Sequence, residues 1–172
     1  MRLSLSRLAM IGTLSLAVVL GATSCAAAGR ADGESPAGEP SEDVWVFYND
    51  HFETDRSMLT EDERGLLAIL DLRQEVASGG FDSYLSGWGG NTAVDALDAL
   101  PAALGTEWAD VLRDAMGLLG SPYPNDPDER YEILQSRDTE EEIDALDARL
   151  NTLEATSDVD ARLGAVLAAL HR

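Results

Sequence analysis

Apolar residues recur every three or four positions along most of the chain, which is the period of one face of a helix. The clearest stretch begins at Thr60, where Thr60 and Glu63 have the spacing of a capping box. Six apolar positions follow on its inward side: Leu66, Leu67, Ile69, Leu70, Leu72 and Val76. The pattern predicts one long amphipathic helix that stops at the pair Gly79-Gly80.

A short aromatic segment follows the two glycines. Four side chains lie at offsets of 0, 3, 4 and 7, on one helical face: Phe81, Tyr84, Leu85 and Trp88. Because glycine just past a helix end readily adopts a left-handed backbone, we expect this pair to fold the aromatic face back onto the preceding helix. Two interpretations are open: a helix–turn–helix corner in the core, or a ligand pocket beneath the rings.

The other apolar patterns predict further helices. Val44–Tyr48 fits a strand or a helix, and we favour a helix because no second strand is available to pair with it. A helix bearing Val94 and Leu100 is expected next, and then a helix that begins at a Thr106 cap. Asp126-Pro127 is the start signal of another helix.

The last two patterns are the most regular, and they are expected to form an antiparallel helix pair, with Ser157 as a candidate cap between them. Their apolar positions are Ile143, Leu146, Leu150 and Leu153, then Val159, Leu163, Val166, Leu167 and Leu170. The fold class that we predict is all-α, a compact bundle of about seven helices after a signal peptide and a flexible tether.

The first 24 residues have the features of a bacterial lipoprotein signal peptide. Arg2 and Arg7 supply a positive start, and Leu8–Leu20 is a mostly apolar stretch that is too short for a comfortable membrane span. Small residues then precede Cys25, which resembles a lipobox and implies that Cys25 becomes the lipidated first residue. Two alternatives are open: an ordinary signal peptide with an unrelated cysteine, and an uncleaved anchor.

The N-terminal features divide the chain into three segments. Residues 1–24 are the signal peptide, 25–43 are the lipidated cysteine and a disordered linker of small residues, proline and acids, and 44–172 form the helical domain. Because Cys25 is the only cysteine, no internal disulfide is possible. We expect the protein at the cell membrane, lipid-anchored on the extracytoplasmic side, with the lipid as its sole membrane contact.

Negative charge dominates the composition. The 32 acidic residues face 12 arginines and no lysine, a net charge of −20, and loss of the signal peptide with Arg2 and Arg7 leaves −22. Such a charge disfavours nucleic acid and anionic membranes as partners, and it favours a basic protein or metal ions. A well-hydrated surface without any partner would have the same composition.

Acidic residues are concentrated in one part of the chain, where Asp126–Asp160 holds 13 acids and 3 arginines. Five of these carboxylates are expected opposite the apolar stripe of one helix: Glu140, Glu141, Glu142, Asp144 and Asp147. One carboxylate per turn gives a spacing of about 5 Å, the same order as the phosphate spacing of about 3.4 Å along a nucleic acid strand. This face could occupy the basic cleft of a DNA-binding protein, and an ordinary solvated face is the alternative.

Patterns of catalytic or metal-binding residues are missing from the sequence. His51 and His171 are far apart, no cysteine–histidine spacing matches a zinc site, and the acids of residues 125–129 lack the spacing of a calcium loop. We therefore expect no catalytic residue, cofactor or metal. The alternative is an envelope enzyme with a carboxylate site near Tyr84 or Trp88.

The segment from Leu59 to about Leu153 resembles the bacterial DNA-mimic protein 19 family. The resemblance is carried by Leu59–Arg64, by Glu75-Val76, by the signature Gly79-Gly80-Phe81-x-x-Tyr84, and by the acidic helix at 140–150. It implies an all-helical fold with an acidic surface, compatible with a homodimer. It also implies that the family's motif residues form a structural corner: Glu75, Gly79, Gly80, Phe81 and Tyr84.

The activity for which that family is named is binding a transcription factor in place of DNA. An exported lipoprotein would not meet a cytoplasmic factor, so the resemblance implies here a non-catalytic domain that offers its acidic surface to a basic protein partner. A cytoplasmic DNA mimic is the alternative.

Overall fold

The computed structural model describes residues 43–172, so that the signal peptide, Cys25 and nearly all of the linker lie outside the described residues. Seven α-helices occur there: α1 (Val44–His51), α2 (Glu61–Ser86), α3 (Ala93–Ala103), α4 (Thr106–Gly117), α5 (Pro127–Ser136), α6 (Glu140–Thr156) and α7 (Val159–Leu170). Short 3-10 turns lie at Arg56–Met58 and Gly89–Thr92. Residues 43–172 contain no strand, which confirms the all-α prediction.

Helix α2 is the centre of the bundle, and it contacts α3, α5, α6 and α7. Its first turn is fixed as predicted, because Thr60 Oγ1 accepts from Glu63 N at 3.3 Å and Glu63 Oε2 accepts from Thr60 N at 2.8 Å. All six predicted inward positions are buried. In the described part of the chain, no helix combines the length and the apolar character that crossing a membrane requires.

The glycine pair interrupts α2 as the sequence predicts. Gly79 and Gly80 leave the helical backbone, and Gly80 has φ 71° and ψ −178°, a conformation that is essentially restricted to glycine. The helix resumes at Phe81, and Phe81, Tyr84 and Leu85 are fully buried. Burial of these rings supports the interpretation as a structural corner.

Trp88 departs from the predicted aromatic face. It is 49% exposed, because α2 ends at Ser86 and the chain turns before the fourth position of the pattern is reached. Its ring packs instead beside Phe52, with 6.4 Å between the ring centroids, and the Arg56 guanidinium lies 4.8 Å from its centroid.

Some local predictions about other helices are wrong by small shifts. Val94 is exposed, since α3 turns Ala93, Ala96 and Leu100 inward. Thr106 is the first residue of α4 rather than its cap, and Asp158 rather than Ser157 caps α7.

The predicted antiparallel pairing of the last two helices is not the main packing. Helix α6 packs chiefly on α2 and α4, whereas α7 packs on α2, α1 and α3. Both helices therefore pack their apolar stripes on α2, α6 together with α4 and α7 together with α1 and α3. Arg73 of α2 connects the two helices, since its Nε donates to Glu154 at 2.6 Å and its Nη1 donates to Asp160 at 2.8 Å.

We predict that Gly80→Ala lowers the free energy of unfolding by about 1–3 kcal/mol, because alanine is strained in this backbone conformation and its Cβ would collide with the Asp147 carboxylate. Gly117→Ala is the matched control, since a Cβ there meets nothing within 4 Å at the end of α4. Urea unfolding measures both variants. Equal stabilities would contradict the role assigned to the corner.

Candidate functional site

The structure brings the glycine corner and the acidic helix together. Asp147 Oδ1, on α6, accepts a hydrogen bond from Phe81 N at 2.8 Å. Phe81 starts the resumed part of α2, where backbone N–H groups lack partners within the helix. Asp147 therefore caps this helix from a distant part of the chain. It is half-buried, and the prediction that it lies opposite the apolar stripe is wrong.

An acidic cleft of about 420 Å³ opens beside this hydrogen bond. We define the acidic cleft by its five carboxylates: Asp82 on α2, Asp138 before α6, and Glu140, Asp144 and Asp147 on α6. Gly79 and Ile143 also line it, together with Arg137, whose Nη1 donates to the carbonyl of Leu118 at 2.5 Å. The cleft thus collects part of the family signature and three of the five acids singled out on α6.

The carboxylates of Asp82 and Asp144 repel that of Asp147 in the cleft. Burial is the largest cause that raises the pKa of Asp147 above its usual value, and the carboxylates of Asp144 and Asp82 raise it further, while the bond from Phe81 N–H lowers it. A cation placed in the cleft would relieve this repulsion. The arrangement is suited to a guanidinium or ammonium group.

The remaining predicted acids lie on the open surface of α6. Glu141 and Glu142 are exposed next to Glu140 at the start of the helix, outside the cleft lining. Among residues 43–172, no ion pair involves Glu140, Glu141, Glu142 or Asp144. Their charges are available to a partner.

Glu75 of the family signature faces the other side of the corner. Its carboxylate accepts from the backbone N–H of Gly89, and a Cβ at Gly89 would lie 2.6 Å from Glu75 Oε1. Burial raises the pKa of Glu75, the Asp71 carboxylate raises it further, and the Gly89 N–H opposes both effects. Only glycine allows this approach, so Glu75 positions the glycine turn, by which we mean residues 87–91.

Arg130 holds the same turn from the opposite side, and the sequence pattern did not single it out. It is fully buried on α5, and its guanidinium donates only to neutral oxygens. These are the carbonyls of Leu85, Gly87, Pro124 and Asn125 and the Oδ1 atom of Asn91, at 2.6–3.2 Å. The turn is therefore fixed between a carboxylate and a buried guanidinium.

Asp71 is the second buried polar residue that the pattern missed. Its carboxylate is fully buried on α2, and it accepts from Tyr48 Oη at 2.9 Å, from Thr92 Oγ1 at 3.0 Å, and from Arg56 Nη1 and Nη2 at 2.5 and 3.0 Å. An aspartate between Leu70 and Leu72 in an apolar stretch was the available signal. Its bonds join α1, the first 3-10 turn and the start of α3 to α2.

A metal centre finds no support in the described segment, where no group of three or more histidine, cysteine or acidic side chains is arranged to hold an ion.

The fold and the cleft define an acidic, all-helical domain whose unpaired carboxylates gather at a glycine corner. The chain belongs to the family described as DMP19-like protein, because the model of that family matches residues 57–170. The match extends from the first 3-10 turn through the whole of α2 to the last residue of α7, and it includes the acidic cleft. No curated protein and no solved structure matches the chain significantly.

We predict that Asp147→Ala lowers the free energy of unfolding by about 0.5–2 kcal/mol, the usual cost of losing a helix cap. Asp144→Ala is the matched control, because this exposed neighbour on α6 makes no hydrogen bond with the corner and should change stability by less than about 0.5 kcal/mol. Urea unfolding compares the two. A larger loss in the control would contradict the capping role.

We predict that Glu75→Gln stabilises the protein at neutral pH. Burial disfavours the charged carboxylate, so the folded-state pKa of Glu75 lies above its ordinary value of 4.5. The contribution of protonated Glu75 to the free energy of unfolding is therefore complete below pH 4.5, and it is lost as the pH rises through the folded pKa. Glutamine keeps an acceptor for Gly89 N–H and cannot ionise. Urea unfolding from pH 4 to 7 should show an advantage of the variant that grows with pH, and a constant difference would contradict the prediction.

Proposed function

We propose that this protein is a membrane-anchored lipoprotein whose acidic cleft binds a basic protein partner without catalysing a reaction. The observation that carries the proposal is the convergence of five carboxylates from α2, α6 and the segment before α6 in one cleft. Arg137, the one arginine of that lining, already donates to a carbonyl. Membership of the DMP19-like family supports protein binding in general.

The chemistry of the cleft favours arginine or lysine side chains of a folded or extended partner. Carboxylates accept two parallel hydrogen bonds from a guanidinium, and such charge-assisted bonds are stronger than neutral ones. Exposed charges are screened within about 8 Å at physiological salt, so the complex should weaken as salt is added. A partner held by burial of apolar surface would not respond in this way.

The proposed anchor determines which partners are within reach. The sequence features at residues 1–24 and Cys25 support lipidation and export, so the partner would be a component of the cell envelope or its surroundings. The linker would hold the helical domain close to the membrane.

Binding is tested with residues 25–172 carrying Cys25→Ser, immobilised and exposed to envelope extract at low and raised salt. Asp138→Asn, Glu140→Gln and Asp144→Asn combined should abolish retention of basic proteins. The matched control combines Asp128→Asn, Glu129→Gln and Glu132→Gln, three exposed acids of α5 whose removal changes the net charge equally. Retention of no basic protein at low salt, or equal loss in both triple variants, would refute the cleft as the binding site.

The anchor is tested separately by fractionating cells that make the full chain. We expect the wild-type protein in the membrane fraction, with acyl groups on Cys25 shown by mass spectrometry, and Cys25→Ser in the soluble fraction. Wild-type protein that begins at Met1 and is free in the cytoplasm would refute the lipoprotein proposal.

A cytoplasmic protein that still begins at Met1 would favour the second candidate, a cytoplasmic DNA mimic that occupies the DNA-binding site of a transcription factor. Family membership and the exposed acids of α6 support this candidate. Competition between the protein and DNA for a captured DNA-binding protein tests it directly.

A further inference from the structure

A second concavity lies between the first turns of α2, helix α3 and the end of α7. It encloses about 390 Å³, and we call it the α2–α3–α7 groove. Its apolar lining comes from all three helices and includes Leu66, Ile69, Ala99, Val166 and Leu170. The volume lies near the lower end of the range of about 300–1,000 Å³ for ligand pockets, which suits a few side chains rather than a whole helix.

Small residues bring the walls of the groove together. Gly65 of α2 lies so close to α3 that a Cβ on it would be 2.7 Å from the Cβ of Ala99. Further alanines, at 102 and 169, line the groove and are exposed. Leu66 and Ile69 are buried beneath the groove, so its solvent-accessible apolar surface comes from these alanines and from the partly buried Ala99, Val166 and Leu170.

Every charged residue in the lining is acidic: Glu61, Asp62, Asp95 and Asp98. Within residues 43–172, none of the four forms an ion pair. Helix dipoles account for Glu61, Asp62 and Asp95, which lie in the first turns of α2 and α3. They do not account for Asp98 farther along α3, or for the meeting of all four around one apolar floor.

We propose that the α2–α3–α7 groove docks a cationic segment of a partner protein, which inserts an aliphatic side chain into the floor while its flanking arginines or lysines meet the acidic rim. Charge complementarity selects this occupant, since the rim offers carboxylates and no cation. The proposal rests on the proposed function, because it gives the basic partner a second contact and adds a requirement for an apolar anchor.

The acidic cleft and the groove therefore recognise different features. The cleft is lined mainly by polar atoms and would accept cationic groups by themselves, whereas the groove is lined mainly by apolar atoms. Burying an aliphatic side chain contributes to affinity by removing apolar surface from water, and that contribution is insensitive to charge screening. A partner that uses the groove should retain part of its affinity at raised salt.

The test uses residues 25–172 with Cys25→Ser and a fluorescent synthetic peptide in which one leucine is flanked by arginines. Fluorescence anisotropy gives the dissociation constant. A second peptide, with serine in place of the leucine, carries the same charge and should bind about tenfold more weakly, as expected for loss of one buried aliphatic group. Equal affinity of the two peptides would overturn the proposal.

Two quadruple variants locate the peptide. Glu61→Gln, Asp62→Asn, Asp95→Asn and Asp98→Asn remove the rim, while Glu107→Gln, Asp128→Asn, Glu129→Gln and Glu132→Gln remove the same charge from exposed positions of α4 and α5, outside both the groove and the acidic cleft. The rim variant should weaken binding about tenfold or more, because it removes all four carboxylates that would pair with the flanking arginines. An effect of this control variant as large as that of the rim variant would show general attraction to a polyanion and would overturn the groove as the site.

A variant of unchanged charge completes the test. Ala169→Trp fills the groove and should weaken peptide binding, whereas Ala165→Trp, on an exposed position of the same helix outside the lining, should not. Circular dichroism and melting curves establish that each variant is folded, and the rim variant decides the question if Ala169→Trp is not. Negative peptide results would refute the groove as a docking site and would leave the acidic cleft as the binding site for envelope proteins. Absence of any captured basic protein in the envelope extract would refute the proposed function itself.

Discussion

The hydrogen bond from Phe81 N–H to Asp147 is the contact on which the arrangement of the site depends. Gly80 ends the first part of α2 with a backbone that only glycine adopts easily, and the resumed helix needs an acceptor for its first N–H group. The acceptor comes from α6, so the same bond that completes α2 also fixes α6 against the corner. The acidic cleft is the space left beside this junction.

A second set of polar contacts joins the segments on both sides of the corner. Glu75 and Arg130 hold the glycine turn from two sides, and Asp71 joins Tyr48, Arg56 and Thr92 to the centre of α2. Buried charges remain stable only when their hydrogen bonds are satisfied. Arg130 satisfies this requirement with neutral oxygens alone, so its charge is not paired with a carboxylate.

Local sequence signals predicted the helices well because capping and helical periodicity involve residues close together in the chain. Thr60 with Glu63, Asp126 with Pro127, and the Gly79-Gly80 break are signals of this kind, and each has the predicted place. The prediction for Trp88 was wrong because it depends on where α2 ends. The predicted pairing of α6 with α7 was wrong because both helices pack on the apolar surface of α2, which periodicity within each helix does not reveal. The role of Asp147 was missed because its partner Phe81 lies 66 residues away. The role of Arg130 was missed because its partners in the glycine turn, Gly87 and Asn91, lie 43 and 39 residues away.

The distribution of arginines explains why the surface keeps its negative charge. Arg64, Arg130 and Arg137 donate to backbone carbonyls, so they stabilise loops and helix ends without neutralising a carboxylate. Arg56 and Arg73 do pair with acids, but their guanidinium groups lie mostly buried and hold helices together. Arg113 and Arg149 form exposed ion pairs with Asp110 and Asp114. The ion pairs among residues 43–172 therefore leave Glu140, Glu141, Glu142, Asp144 and the groove rim uncompensated. A partner that binds these acids has to supply the positive charge itself, which makes salt dependence the physical signature of the proposed complex.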